Sequence, residues 1–171
     1  MPIYLTGFMC SGKTRVGRAL AERLRRPWHD LDRVAEERVG PLLPFVQREG
    51  EAAFRKVESA VLRELSVVSD AVISCGGGTV MNDNDRALMH ATGTVVFLDV
   101  SLAVLMERIV RAGGDRPLLF GLKGPALEER VRTLLNERGP VYRSADMVVP
   151  ADAHWEKVAQ ELAIRFTDHD R

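Results

Sequence analysis

Apolar residues along this chain fall into two rhythms. Short unbroken runs, Ile3 to Thr6, Ala71 to Cys75, Thr94 to Asp99 and Met147 to Val149, read as strands buried on both faces, and Pro27-Trp28-His29-Asp30 reads as a further, shorter one. Between them apolar positions recur at helical spacing: Val16, Leu20 and Leu24; Leu102, Leu105, Met106, Ile109 and Val110; Leu127, Val131, Leu134 and Leu135; and Trp155, Val158, Ala159, Leu162, Ala163 and Phe166. Strands apolar throughout, separated by amphipathic helices, predict the α/β doubly wound class, a parallel sheet covered on both faces.

Two segments break this rhythm. Residues 33–65 form a long, mainly helical insertion between the second and third strands, interrupted by Gly40, Pro41, Pro44 and Gly50, and such an insertion can build a substrate pocket. Residues 112–125 carry four glycines and two prolines around Arg116 and predict a mobile lid. There is no internal repeat or low-complexity tract, and 171 residues are enough for one domain, 1–171, with a single core.

Charge and cysteine content narrow the function classes. The 24 basic residues balance 24 acidic ones, which argues against a nucleic-acid partner but leaves room for a local cationic pocket that takes a small anion. The cysteines, Cys10 and Cys75, each lie beside a glycine-rich segment and make no disulfide framework, so a reducing cytoplasm is expected. No signal-like start and no apolar run of membrane-spanning length is present, so neither export nor a membrane is expected. His29, His90, His154 and His169 lack metal-ligand spacing.

Gly7-Phe8-Met9-Cys10-Ser11-Gly12-Lys13-Thr14 follows a strand and opens a helix, matching G-x-x-x-x-G-K-[ST] in the context that motif requires. Its backbone N–H groups, turned inward at a helix N-terminus, suit phosphate oxygens. The motif predicts ATP held by Gly7, Cys10, Ser11, Gly12, Lys13, Thr14 and the adjoining Arg15, with Lys13 on the β/γ-phosphates and the Thr14 hydroxyl on Mg²⁺. Asp30 and Asp32 close the short strand, where residues i and i+2 share a face roughly 6 to 7 Å apart. Asp30 is a candidate to hold Mg²⁺ through water, and Asp32 to accept a hydrogen bond or proton from an acceptor hydroxyl; Asp32 is equally placed to cap the helix that follows. Phe54, Val57, Val61 and Leu65 form a buried stripe while Arg55 and Glu58 share another face, which alone reads as a solvated ion pair. Gly76, Gly77 and Gly78 follow a strand at the carboxyl edge of the sheet, where bare backbone lets a substrate approach closely.

The ordered series of Gly7-Phe8-Met9, Asp30-x-Asp32, Phe54-Arg55-Lys56-Val57-Glu58, the glycine triplet, Arg116-Pro117-Leu118-Leu119 and Tyr142-Arg143 resembles the shikimate kinase family from the first strand to about Val149. The resemblance implies a three-layer P-loop kinase fold: a five-stranded parallel sheet with helices on both faces, a shikimate-binding insertion and a closing lid. It implies transfer of the γ-phosphoryl group of ATP to the 3-hydroxyl of shikimate, with Mg²⁺; a monomer is expected. It assigns Asp32, Arg55, Arg143, Gly76, Gly77 and Gly78 to shikimate, Glu58 to the orientation of Arg55, and Arg111 to the neighbourhood of adenine. It puts Arg116 on the phosphates and Asp30 in the outer sphere of magnesium, and makes Lys13, Asp32 and Arg116 the catalytic set. Cys10 stands where the family commonly has glycine, and Cys75 where it commonly has serine or threonine. A gluconate kinase shares the phosphate loop and an acidic strand end but lacks the triplet and the Arg-Pro-Leu-Leu segment; a nucleotide-binding regulator without catalysis is the alternative from another class.

Overall fold

The computed structural model describes residues 1–113 and 117–169. The apolar runs become β1 (Ile3–Thr6), β2 (Trp28–Asp30), β3 (Val72–Ser74), β4 (Thr94–Asp99) and β5 (Met147–Pro150). They pair in the order β2-β3-β1-β4-β5, every pair parallel, with Leu5 opposite Ser74 on one side and Val96 on the other. Parallel pairing forces a crossover after each strand. The crossovers are α1 (Lys13–Leu24), a group of α2 (Leu31–Val39), α3 (Leu42–Glu49) and α4 (Glu51–Leu65), then α5 (Asp83–Thr92), and finally α6 (Leu102–Ala112) with α7 (Gly124–Tyr142). A closing helix, α8 (Trp155–His169), packs against α1.

Tyr4, Leu5 and Ile73 from the sheet, and Leu20, Leu31, Leu62 and Leu105 from the helices, are fully enclosed in one continuous core. Local chemistry sets the boundaries. Asn82 starts α5 by accepting hydrogen bonds from the Asn84 and Asp85 N–H groups. Gly40 and Gly50, at φ 80° and 87°, divide the segment after β2 into its three helices by taking backbone angles that other residues resist.

Three expectations change. Asp30, not Asp32, is the cap of α2: its carboxylate accepts from the Arg33 N–H at 3.3 Å. The strand therefore stops at Asp30, and Asp32 lies in the first helical turn rather than on an extended face. Val110, read as part of the α6 stripe, is 69% exposed, because the buried face is carried by Leu105 and Ile109. Within 112–125, Leu119 is buried in a 3-10 turn and Leu118 packs on the core, so this part of the expected loop is anchored.

Candidate active site

The carboxyl ends of the strands share one edge of the sheet, and a cleft of about 780 Å³ opens there. Its wall includes the loop after β1, the end of β2, Gly77 after β3 and residues 151–154 after β5. Open α/β sheets bind ligands at this edge.

The loop between β1 and α1 folds around its own lysine. Lys13 Nζ donates to the carbonyls of Gly7 at 2.9 Å and Phe8 at 2.8 Å and lies 3.4 Å from Ser11 Oγ. Burial lowers the pKa of this ammonium, opposed by Asp32 and Asp30, so the loop holds a poorly hydrated cation beside the helix N-terminus. Gly12 caps α1, and Cys10, Ser11, Thr14 and Arg15 line the cleft with Lys13. Thr14 Oγ1 donates to Asp30 Oδ2 at 2.7 Å, an oxygen pair of the hard type that magnesium prefers. Among the described residues no group of three or more His, Cys, Asp or Glu is arranged around a metal.

Asp32 is half-buried at the cleft wall. Burial, then Glu58 and Asp30, push its carboxyl up to about 6, against the pull of Lys13 and Arg55. A carboxyl near 6 exchanges its proton close to neutrality, as a general base requires.

The glycine triplet serves a purpose the sequence did not suggest. A Cβ on Gly76 would collide with Glu58 Oε1 and lie 2.7 Å from Asp32 Oδ1, and one on Gly78 would lie 2.5 Å from Arg55 Nη2. The bare backbone thus makes room for the site's own charged side chains. Arg55 and Glu58 are not a solvated surface pair: Glu58 is 1% exposed and accepts from Arg55 Nη1 at 2.6 Å and from Thr79 Oγ1 at 2.5 Å.

The second arginine is the largest correction. Arg143, expected against the acceptor, lies 60% exposed and pairs with Asp99 Oδ2 at 3.0 Å. Arg138 instead approaches the triplet, its Nη1 lying 3.4 Å from the Gly77 carbonyl, which also accepts from the Tyr142 hydroxyl at 2.5 Å. Helical geometry explains the exchange: Leu134, Arg138 and Tyr142 repeat every four residues on the inward face, and Arg143 turns outward. A charged residue in register with the Leu127-Val131-Leu134 stripe was the signal available in the sequence.

Arg108 was also overlooked. It donates to the Ser11 carbonyl at 3.2 Å and to the carbonyls of Ala151, Asp152 and Ala153 at 3.0, 3.1 and 3.3 Å, tying the phosphate loop to the loop after β5. Arg111, expected near adenine, lines the same cleft with its guanidinium on Glu107. Arg116 lies outside the described residues. Cys75 is sealed beneath the glycines, its thiol pushed well above the ordinary range by burial and then by Glu58.

Comparison with known proteins converges on one family. The family model described as shikimate kinase matches residues 9–167. A shikimate kinase of Aquifex aeolicus is 39% identical over 165 residues, covering 96% of this chain and 95% of that protein. The crystal structure of shikimate kinase from Bacteroides thetaiotaomicron superposes with a TM-score of 0.90 at 35% identity, over 98% of both chains. That of Acinetobacter baumannii, in complex with shikimate, gives 0.89 at 33% identity over 98% of this chain and 93% of its own. With its phosphate loop, its parallel sheet and its sequence all matched over nearly full length, the chain belongs to the shikimate kinase family.

Proposed function

We propose that this ATP-dependent kinase transfers the γ-phosphoryl group to the 3-hydroxyl of shikimate, giving shikimate 3-phosphate and ADP, with the acceptor seated against Asp32, Arg55, Arg138 and Gly76 to Gly78. The observation that carries the assignment is the meeting of two guanidinium groups and a carboxyl, from three different helices, around the triplet beside the phosphate loop. Shikimate bears one carboxylate and three hydroxyls. Arg55 and Arg138 supply charge-assisted hydrogen bonds to the carboxylate, and Asp32 faces the hydroxyl end.

In the transfer, Asp32 accepts the hydrogen bond and then the proton of the 3-hydroxyl. The new oxygen–phosphorus bond forms as the bond from the γ-phosphorus to the bridging oxygen breaks, and that oxygen leaves on ADP. Lys13 exchanges the Gly7 and Phe8 carbonyls for phosphate oxygens and compensates their charge. Arg116, by its place in the Arg-Pro-Leu-Leu segment, adds a second cation to the transferred group. Thr14 and Asp30 would hold Mg²⁺, which would supply charge neutralisation of the β- and γ-phosphates. Arg108 and Arg111 border the nucleotide side of the cleft. We take the enzyme to act as a monomer in a reducing cytoplasm, and both cysteines are free, which suits that compartment. Among the described residues no helix is long and apolar enough to cross a membrane.

A coupled assay of ADP release with shikimate, with gluconate and with no acceptor tests the assignment. Turnover is expected with shikimate alone; transfer to gluconate in its place overturns it.

A further inference from the structure

Thr79 opens the 3-10 turn after the glycines and is completely buried. Its hydroxyl donates to Glu58 Oε1, while Glu58 Oε2 accepts from Arg55 Nη1. A carboxylate shut away from water needs a donor on each oxygen, and Thr79 and Arg55 are those donors. The orientation of the carboxylate is therefore set from one end by Thr79 and read out at the other by Arg55. Among the described residues the outer nitrogen of Arg55 pairs with the exposed Glu51, at 3.0 Å, and the guanidinium also lies over the Phe54 ring, so the buried ion pair with Glu58 is the contact that directs it over Gly78. Glu58 Oε1 and Asp32 Oδ1 also crowd the same face of Gly76, so a displaced Glu58 would disturb the acceptor side twice.

We propose that Thr79 is a positioning residue for acceptor binding: its hydroxyl locks the buried Glu58 carboxylate, which in turn locks the Arg55 guanidinium where the carboxylate of the acceptor docks. The inference rests on the assignment of Arg55 to the acceptor. It separates Thr79 from a residue that merely fills space, because the valine side chain has the same shape without the hydroxyl.

Steady-state kinetics on Thr79→Val, Thr79→Ser, Arg55→Ala and the Arg55→Ala/Thr79→Val double variant test it. Thr79→Val is expected to raise the shikimate KM about tenfold, the order of effect seen when a buried charged group loses a hydrogen bond, with the ATP KM changed less than about twofold. Thr79→Ser keeps the donor and is expected to stay within about threefold of the parent KM. In the Arg55→Ala background the valine substitution should add less than about twofold, since its effect travels through Arg55. An unchanged shikimate KM in Thr79→Val beside a raised one in Arg55→Ala overturns the role of Thr79 and leaves that of Arg55 intact. No effect of Arg55→Ala overturns both. A serine variant as impaired as the valine one, although it keeps the hydroxyl, assigns the effect to packing at this position and also overturns the proposal. If the valine protein does not fold, Thr79→Ala removes the same hydroxyl without setting a methyl group against the buried carboxylate and is read by the same criteria.

Discussion

Asp32 is the residue whose ionisation couples chemistry to stability. Its carboxyl is held near 6 in the folded protein, above the ordinary value of 3.8, so the native state binds this proton more tightly than the unfolded chain does. Stability contributed by this group is therefore greatest at low pH and is lost as pH rises from about 4 to about 6. At one pKa unit per 1.36 kcal/mol, Asp32→Asn should stabilise the protein by about 1–3 kcal/mol at pH 7.5 and by little at pH 4, measured by denaturant unfolding. The same substitution removes the proposed proton acceptor, and kcat should fall by about 10² or more with ADP affinity kept. An Asn variant as active as the parent, or less stable at pH 7.5, would contradict the burial argument. Arg138 and Arg143 offer a contrast of similar directness. Arg138→Ala should raise the shikimate KM by about tenfold or more, because the proposed charge-assisted contact is lost. Arg143→Ala removes one exposed ion pair and should change stability by less than about 1 kcal/mol, with both KM values unaltered.

Helix α7 and the phosphate loop show how far local sequence carries and where it stops. The stripe Leu127, Val131 and Leu134 identifies the helix and its buried face, yet the proline at 140 and the tyrosine beyond it suggest an earlier end. The helix survives Pro140, which carries Arg138 and Tyr142 inward together; their common target, the Gly77 carbonyl, is 65 residues from Tyr142 in sequence and invisible to any local pattern. The same applies to α4, where the i,i+3 spacing of Arg55 and Glu58 reads correctly as a pair but gives no hint that Thr79 and Gly78 bury it. In the phosphate loop the reverse holds, since the motif fixes Gly7, Gly12, Lys13 and Thr14 and leaves open the residues between the glycines, among them the backbone at position 10. Cys10 takes φ 61°, a left-handed conformation that costs a side chain with a Cβ about 1–2 kcal/mol. Part of that cost is offset because glycine loses more freedom on folding. Cys10→Gly should therefore raise the melting temperature by about 1–3 °C, read by thermal unfolding without nucleotide. A lower melting temperature would mean that contacts of the Cys10 side chain outweigh the strain.

The sheet turns these separate elements into one device. The period of the apolar residues sufficed for the α/β class, the five strands and helices α1, α6, α7 and α8, because a parallel sheet buried on both faces leaves a plain record in the sequence, whereas α5 went unread. Strand order left no such record, and it is the order β2-β3-β1-β4-β5 that brings Asp30, Gly76 and the loop after β1 to neighbouring strand ends. The phosphate loop is bound into the rest of the fold on both sides. Ser74 Oγ donates to the Lys13 carbonyl at 2.9 Å and receives the Trp28 indole N–H at 3.1 Å, while Arg108 joins the Ser11 carbonyl to the loop after β5. Helix α8, which follows that loop, packs along α1. A nucleotide held by the loop thus resists opening of the central strands and of the C-terminal helix together, and its binding energy should appear as global stability. At an ADP concentration 100 times its Kd the gain is about 2.7 kcal/mol, or about 5–10 °C in melting temperature for a chain of this size. Lys13→Ala removes the cation that meets the phosphates, so the shift at the same ADP concentration should shrink to less than about 2 °C while the fold persists. A full shift in the Lys13→Ala protein would show that the nucleotide binds away from this loop, and a broad or two-step transition in the parent would show that the C-terminal helix melts independently of it.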